Sequence, residues 1–204
     1  PDEVASLVAT AVETTGRAIA TRLDAEQVSA ARRRLADEHP DASLRWNDRA
    51  GVLVAHAPDF ETPRLDATIG VLTAGTADAV PAGEAVAIAG EMGAQIHRVD
   101  DVGVAGIARL LDRIDELRQL DVLIVAAGRE GALPTVVAGL VDVPVIGLPV
   151  STGYGHGGDG EAALSGMLQS CTALSVVNVD AGFTAGAQAG LIARRLAVVR
   201  GKTG

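Results

Sequence analysis

The tightest limit on the fold comes from the segment that begins at Ala67. Five short apolar runs, Ala67 to Thr73, Gln95 to Val99, Val122 to Ala127, Val143 to Pro149 and Ser175 to Val179, alternate with stretches of helical character. The runs are dominated by Val, Ile, Leu and Ala, least so at Gln95 to Val99, and are read as strands buried on both sides. The stretches at roughly 79–92, 104–119, 130–140 and 160–171, and a last one from about Thr184, read as helices. Five strand-then-helix units of this kind specify a parallel sheet, and right-handed crossovers place helices on both of its faces. The expected fold class is α/β, a three-layer, doubly wound parallel sheet of five strands. The chain is 48% hydrophobic but 2% aromatic, with 24 glycines in 204 residues, so its core must be built from small and branched aliphatic side chains.

Before Ala67 the pattern differs. Val4, Leu7, Val8 and Val12 form a helical stripe, and Asp24 is placed to cap a second helix through Val28, Ala31 and Leu35. A short strand is expected over Gly51 to His56, and the proline-containing stretch from Ala57 to Leu65 is the candidate linker. The expected organisation is a small, mostly helical α+β domain over 1–64 and a catalytic α/β domain over 65–204. The small domain is the more charged, with eight Lys/Arg and twelve Asp/Glu before Ala67.

The net charge of −9, with no basic run beyond Arg32, Arg33 and Arg34, argues against a nucleic-acid or anionic-membrane partner and for a small molecule. The single cysteine, Cys171, cannot form an internal disulfide and suits a reducing compartment. No apolar run approaches membrane-span length, so the expected location is cytoplasmic. The chain opens on Pro1 instead of Met, from which an upstream segment is expected.

In a doubly wound sheet ligands bind beyond the carboxyl ends of the strands, so the loops there are the places to look. The loop after the first of the five strands, Thr73 to Asp78, offers Gly75 for close backbone approach and hydroxyls on Thr73 and Thr76. A tight turn with Asp78 as a cap accounts for it equally well. The loop after the third strand holds Gly128, Arg129, Glu130 and Gly131, and a carboxylate at that mouth can exchange a proton if partial burial raises its pKa. Two solvated charges at a helix start are the plainer alternative. After the fourth strand come Ser151, Gly153, Tyr154, Gly155 and His156, in a glycine-rich loop holding the only tyrosine, which reads as stacking on a ring or acting as a lid, with a flexible surface loop as the plainer alternative. Asn178 and Asp180 follow the fifth strand. Cys171 closes the helix before it, where a helix C-terminus disfavours a thiolate unless a cationic substrate lies over the sulfur. No Lys or Arg occurs between Arg129 and Arg194, so phosphates are expected on backbone amides, hydroxyls and Arg129.

Taken together, Thr73 to Asp78, Asp101 to Gly106, Gly128 to Leu140, Gly153-Tyr154-Gly155, Gly166 to Cys171 and Asn178 to Phe183 resemble the LarB family of pyridinium-3,5-biscarboxylic acid mononucleotide synthases. Thr21 to Gln27 also resembles that family's N-terminal domain. The C-terminal part is in turn similar to aminoimidazole ribonucleotide carboxylases and mutases (PurE-like), which implies a flavodoxin-like fold and an octamer. That second likeness has gaps: Arg98 to Asp101 stands where a Ser-Ala-His-Arg motif is expected, and Glu130-Gly131-Ala132 where a histidine is expected before Leu133-Pro134. The LarB family usually shows Asn at the positions of Gln169 and Ala181, and a different filling where His156 to Asp159 stand.

What the LarB resemblance implies is carboxylation of the pyridinium ring of nicotinic acid adenine dinucleotide by CO2 or bicarbonate, with phosphoanhydride hydrolysis releasing AMP. By matching position Cys171 would be the nucleophile and Glu130 the proton-transfer group, with Asp78 orienting substrate. Thr73, Gly75, Thr76, Gly128, Arg129, Gly131, Ser151, Gly153, Tyr154, Gly155, Asn178 and Asp180 would bind it. Mg2+ is the expected aid to hydrolysis, with ligands that no pattern here fixes. The competing expectations are the purine-pathway mutase and a non-catalytic nucleotide-binding oligomer.

Overall fold

The computed structural model describes residues 1–153 and 156–201. The chain divides into two compact units, Pro1–Thr62 and Pro63–Gly204. Among the described residues no helix is long and apolar enough to cross a membrane.

In the first unit, helices α1 (Asp2–Thr15) and α2 (Ala25–Glu38) are accompanied by three strands, β1 (Arg17–Thr21), β2 (Ser43–Asn47) and β3 (Val52–His56). The strands form an antiparallel sheet in the order β1-β3-β2. Inward residues of all three strands, among them Ala18, Leu44, Leu53 and Ala55, join Val8, Val12, Ala31 and Leu35 of the helices in one core. Asp24 caps α2 as expected: its carboxylate accepts from the Gln27 N–H at 2.8 Å while the Gln27 side-chain oxygen accepts from the Asp24 N–H at 2.9 Å. Strands β1 and β2 add to the one strand expected here. Each has five residues, and with Ala18 and Ala20 as the inward positions of β1 the alternation is too faint to read.

The second unit carries the five-stranded sheet. Its strands are β4 (Thr68–Thr73), β5 (Gln95–Val99), β6 (Val122–Ala127), β7 (Val145–Pro149) and β8 (Leu174–Val176). All are parallel, in the order β5-β4-β6-β7-β8. This is the flavodoxin-like arrangement, in which strand order reverses between β4 and β6. Alternate residues of β6 enter different cores. Val122, Ile124 and Ala126 pack with α3 (Ala79–Glu91) and α8 (Gly182–Val199). Leu123, Val125 and Ala127 pack with α6 (Ala132–Leu140), α7 (Glu161–Leu168) and the short helices α4 (Ile107–Leu111) and α5 (Ile114–Leu117). Every residue of β6 and β7 is buried, as doubly covered strands require.

The expected helix over 104–119 is broken. A 3-10 turn at Val104–Gly106 precedes α4, and the Arg113 N–H donates to the Leu110 carbonyl at 2.9 Å, tightening the chain between α4 and α5. The break still buries Leu110, Ile114 and Leu117 together. At the amino ends of the strands, Arg200 beyond α8 pairs with Asp121, which also accepts from the Thr68 N–H at 2.8 Å. Burial alone would raise the Asp121 carboxyl, but these hydrogen bonds and the Arg200 charge outweigh it and hold the group below its ordinary value.

Candidate active site

The carboxyl ends of β4 and β6 meet at the point where strand order reverses, and Asp78 ties their loops together. Its carboxylate accepts from the Gly75 N–H at 2.7 Å and, fifty residues on, from the Gly128 N–H at 3.1 Å. Asp78 is only 4% exposed. Burial pushes its carboxyl above the ordinary value, against the opposing pull of the amides of Gly75, Gly128 and Ala74. Gly128 is required by close approach: a Cβ there would sit 2.5 Å from the Thr152 carbonyl oxygen. The loops after β4, β6 and β7 thus converge on one another.

Four of the five non-glycine residues with positive φ among the described residues stand in loops beyond the strands' carboxyl ends. They are Asp101 after β5, Arg129 after β6, Asp159 after β7 and Asp180 after β8. Such conformations cost energy and collect where a loop must aim groups at a ligand.

Two cavities open at this edge. The first, about 430 Å3, is bounded by Gly75, Asp78, Gly128 and Glu130, with an apolar side formed by Val104 and Leu133. The second, about 320 Å3, is bounded by Ser151, His156 and the glycines at 157, 158 and 160. Arg129, Glu130 and Gly153 belong to the walls of both. The two cavities are therefore the lobes of one cleft, with the Arg129–Glu130 pair, 4.0 Å apart, at the divide. Glu130 is 63% exposed and Arg129 56%, so this chain alone does not supply the burial expected around Glu130.

Of the residues singled out from sequence, the structure brings Gly75, Asp78, Gly128, Arg129, Glu130, Ser151 and Gly153 to the cleft. Tyr154 and Gly155 lie outside the described residues. Thr73 is buried, its hydroxyl donating to Asp100 at 3.0 Å and accepting from the Asp101 N–H, so it serves the neighbouring loop. Thr76 is exposed in a 3-10 turn away from the cavity walls. Gly131 starts α6 at φ +65°, where a Cβ would meet Ala163, and its role is to let α6 and α7 pack. Asp180 accepts from the Ser151 N–H at 2.9 Å and so positions the loop after β7 from behind; Asn178 is exposed and lines neither cavity.

Cys171 is exposed and on neither wall. It lies three residues before Leu174, which pairs with Val145 at the first residue of β7, and five after Gly166, whose lack of a side chain makes room for the Glu130 carbonyl. Val104 and Leu133 lie inside the motifs read from the sequence, and the glycines at 157, 158 and 160 inside the glycine-rich loop, but none of them is among the residues singled out for the site. A signal for the first two exists, since both stand just beyond strand ends, but their aliphatic character marks them as core.

Among the described residues no group of three His, Cys, Asp or Glu side chains is arranged to hold a metal ion. The oxygens of Asp78 are occupied by amides. This donor set does not fit a Mg2+ ion held by protein ligands alone.

Comparison with known proteins agrees with this architecture. The uncharacterized protein MJ0165 of Methanocaldococcus jannaschii is 40% identical over 197 residues, covering 95% of this chain and 75% of its own. A crystal structure of Treponema denticola PurE superposes with a TM-score of 0.50 at 21% identity, covering 60% of this chain and 77% of that one. A variant of PurE2 from the same organism gives a TM-score of 0.49 at 21% identity over 63% of this chain and 78% of that one. The AIR carboxylase family pattern matches residues 68–203, nearly the whole α/β unit. The chain belongs to the AIR carboxylase family.

Proposed function

We propose that the protein carboxylates the pyridinium ring of nicotinic acid adenine dinucleotide and hydrolyses its phosphoanhydride, giving pyridinium-3,5-biscarboxylic acid mononucleotide and AMP. The observation that carries this reading is the two-lobed cleft whose lobes share Arg129, Glu130 and Gly153. A dinucleotide has two halves joined by a pyrophosphate. The first lobe, with Val104 and Leu133 on its walls, suits a flat ring, and Arg129 at the divide suits the bridge.

The chemistry follows from the ring's electron deficiency. A pyridinium cannot attack CO2, but a thiolate adding to ring carbon 6 neutralises the ring charge and leaves an enamine whose carbon 5 is nucleophilic. Carbon 5 attacks CO2, forming the new C–C bond. A carboxylate then takes the proton from carbon 5, the electron pair re-forms the ring double bond, and the thiolate departs from carbon 6. In this reading Glu130 takes the proton and Cys171 supplies the sulfur. Since Cys171 lines neither lobe of its own chain's cleft, the thiol in this reading comes from a second copy of the chain, docked so that it closes the cleft. The exposure of both Cys171 and Glu130 in the single chain supports this arrangement.

The test is direct. Purified protein incubated with the dinucleotide, bicarbonate and Mg2+ is expected to yield AMP and a dicarboxylated mononucleotide in equal amounts by mass spectrometry. Absence of both products overturns the reading. The family match by itself also fits the purine-pathway mutase, against which stands the lack of a histidine on the walls of the first lobe among the described residues. Turnover of carboxyaminoimidazole ribonucleotide in the same preparation would establish that alternative instead.

A further inference from the structure

Two stretches of the first lobe's wall come from neighbouring strands: Ala74, Gly75, Ala77 and Asp78 follow β4, and Gly103, Val104 and Ala105 follow β5. What joins them is not on the wall. Thr73, the last residue of β4, is 1% exposed and lines neither cavity. Its hydroxyl donates to Asp100 Oδ1 at 3.0 Å and accepts from the Asp101 N–H at 3.2 Å, so both of its hydrogen-bonding roles go to the two residues that follow β5. Arg98 gives the same Oδ1 two more donors, Nε at 3.2 Å and Nη2 at 3.0 Å. Asp101 stands at φ +59°, a conformation that persists only where its surroundings hold it. Beyond it the Val102 and Gly103 amides donate to the Thr73 and Ala74 carbonyls, each at 3.0 Å. A Cβ on Gly103 would stand 2.6 Å from the Ala74 oxygen, so the chain lies flat against the end of β4 until Val104 reaches the lobe. Arg109 also donates to Asp101 at 2.8 Å, but both side chains are more than half exposed and water weakens such a pair. The Thr73 hydroxyl is the buried part of the hold.

We infer that Thr73 is a positioning residue for substrate binding: without touching the ligand, its hydroxyl keeps Val104 and Ala105 in place as part of the first lobe's wall. The inference rests on the dinucleotide reading for what that lobe takes. Replacing the hydroxyl by a methyl leaves the Asp101 N–H without its acceptor and Asp101 without the bond that holds its backbone conformation. The loop is then away from the lobe for part of the time, and the ligand must draw it back. Apparent affinity falls by the fraction of molecules whose wall is in place, whereas the saturated enzyme, with the wall restored, turns over as before. The effect belongs to KM and not to kcat.

The test measures kcat and KM for nicotinic acid adenine dinucleotide by AMP release, with bicarbonate and Mg2+ present, and amide hydrogen exchange over 101–103 on the same preparations. Thr73→Val, which keeps the shape of the side chain, is expected to raise KM on the order of tenfold with kcat within about twofold of wild type, and to speed exchange over 101–103. Thr73→Ser, which keeps the hydroxyl, is expected to restore both. A merely structural role would lower kcat through loss of folded molecules and leave KM alone; that result, or a KM indifferent to Thr73→Val, overturns the inference. Where Thr73→Val does not fold, Asp100→Ala removes the hydroxyl's acceptor at an exposed position and must show the same rise in KM. The two proposals fail separately. A wild type that releases no AMP removes the dinucleotide reading, while exchange that Thr73→Val speeds and Thr73→Ser restores still assigns the hold to the hydroxyl; AMP release with KM and exchange unmoved does the reverse.

Discussion

Asp78 shows how one side chain serves both the fold and the site. In the sequence it is legible as a cap or as a substrate contact. The structure makes it a clamp between the loops after β4 and β6, with both oxygens engaged by amides. Asp78→Asn keeps the size but leaves an N–H without its acceptor, which is expected to cost about 1–3 kcal/mol in urea unfolding. The pH dependence has a definite sign. Burial raises the folded-state carboxyl above its ordinary 3.8, so this group's stabilising contribution is full below that value and falls as pH rises through the folded pKa. The stability of the wild type minus that of Asp78→Asn is therefore expected to shrink as pH rises above about 3.8, and a flat or rising difference would contradict this. Other residues escape a sequence reading because their chemistry is local and their destination is not: Thr73 is a hydroxyl at a strand end, and only β5 lying beside β4 gives that hydroxyl to Asp100 and Asp101.

Among the elements, α8 explains how a chain with so few aromatics closes a large core. Ala185, Ala189, Ala193 and Ala197 recur every fourth residue and are all fully buried. Together with Gly182, Gly186 and Gly190 they let α8 approach α3 at near-backbone distance. A Cβ on Gly186 would stand 2.5 Å from the Ala85 carbonyl oxygen and 3.0 Å from the Ala85 Cα, both backbone atoms that cannot swing aside. Gly186→Ala is thus expected to destabilise the α/β unit by about 1–3 kcal/mol despite its better helix propensity, read as a lower melting temperature. Unchanged or raised melting temperature would show that the α3–α8 contact is looser than these distances imply. Strands β4, β6 and β7 are plain in the sequence because double burial writes Val/Ile/Leu runs, whereas β5, Gln-Ile-His-Arg-Val, stands at the sheet's edge with only Val99 buried. β8, expected over Ser175 to Val179, is three residues at Leu174–Val176, while β1 and β2 are five residues each, too short for their alternation to stand out.

For the whole molecule, the decisive fact is that Glu130 stands on the walls of the cleft while Cys171 lines neither lobe. If the thiol acts from a second copy of the chain, two inactive variants repair each other. Glu130→Gln and Cys171→Ala, each expected to lower carboxylation at least about a hundredfold, should recover up to about a quarter of wild-type activity when co-expressed or mixed under subunit exchange, because some clefts then hold both native groups. Recovery no greater than the sum of the separate variants would show that both groups act within one chain, or that the cysteine does not act.

Sequence alone determined the parallel sheet, its five strands and the glycine-bearing loops beyond their carboxyl ends, because burial of the central strands and the alternation of strand and helix operate through local pattern and topology. Tertiary structure decided which carboxylate is a clamp and which faces the cleft, that the cleft has two lobes meeting at Arg129 and Glu130, and that the only thiol stands apart from both. Each of these depends on side chains distant in sequence, such as Asp78 and Gly128, arriving within hydrogen-bond reach, and spacing along the chain holds no record of that.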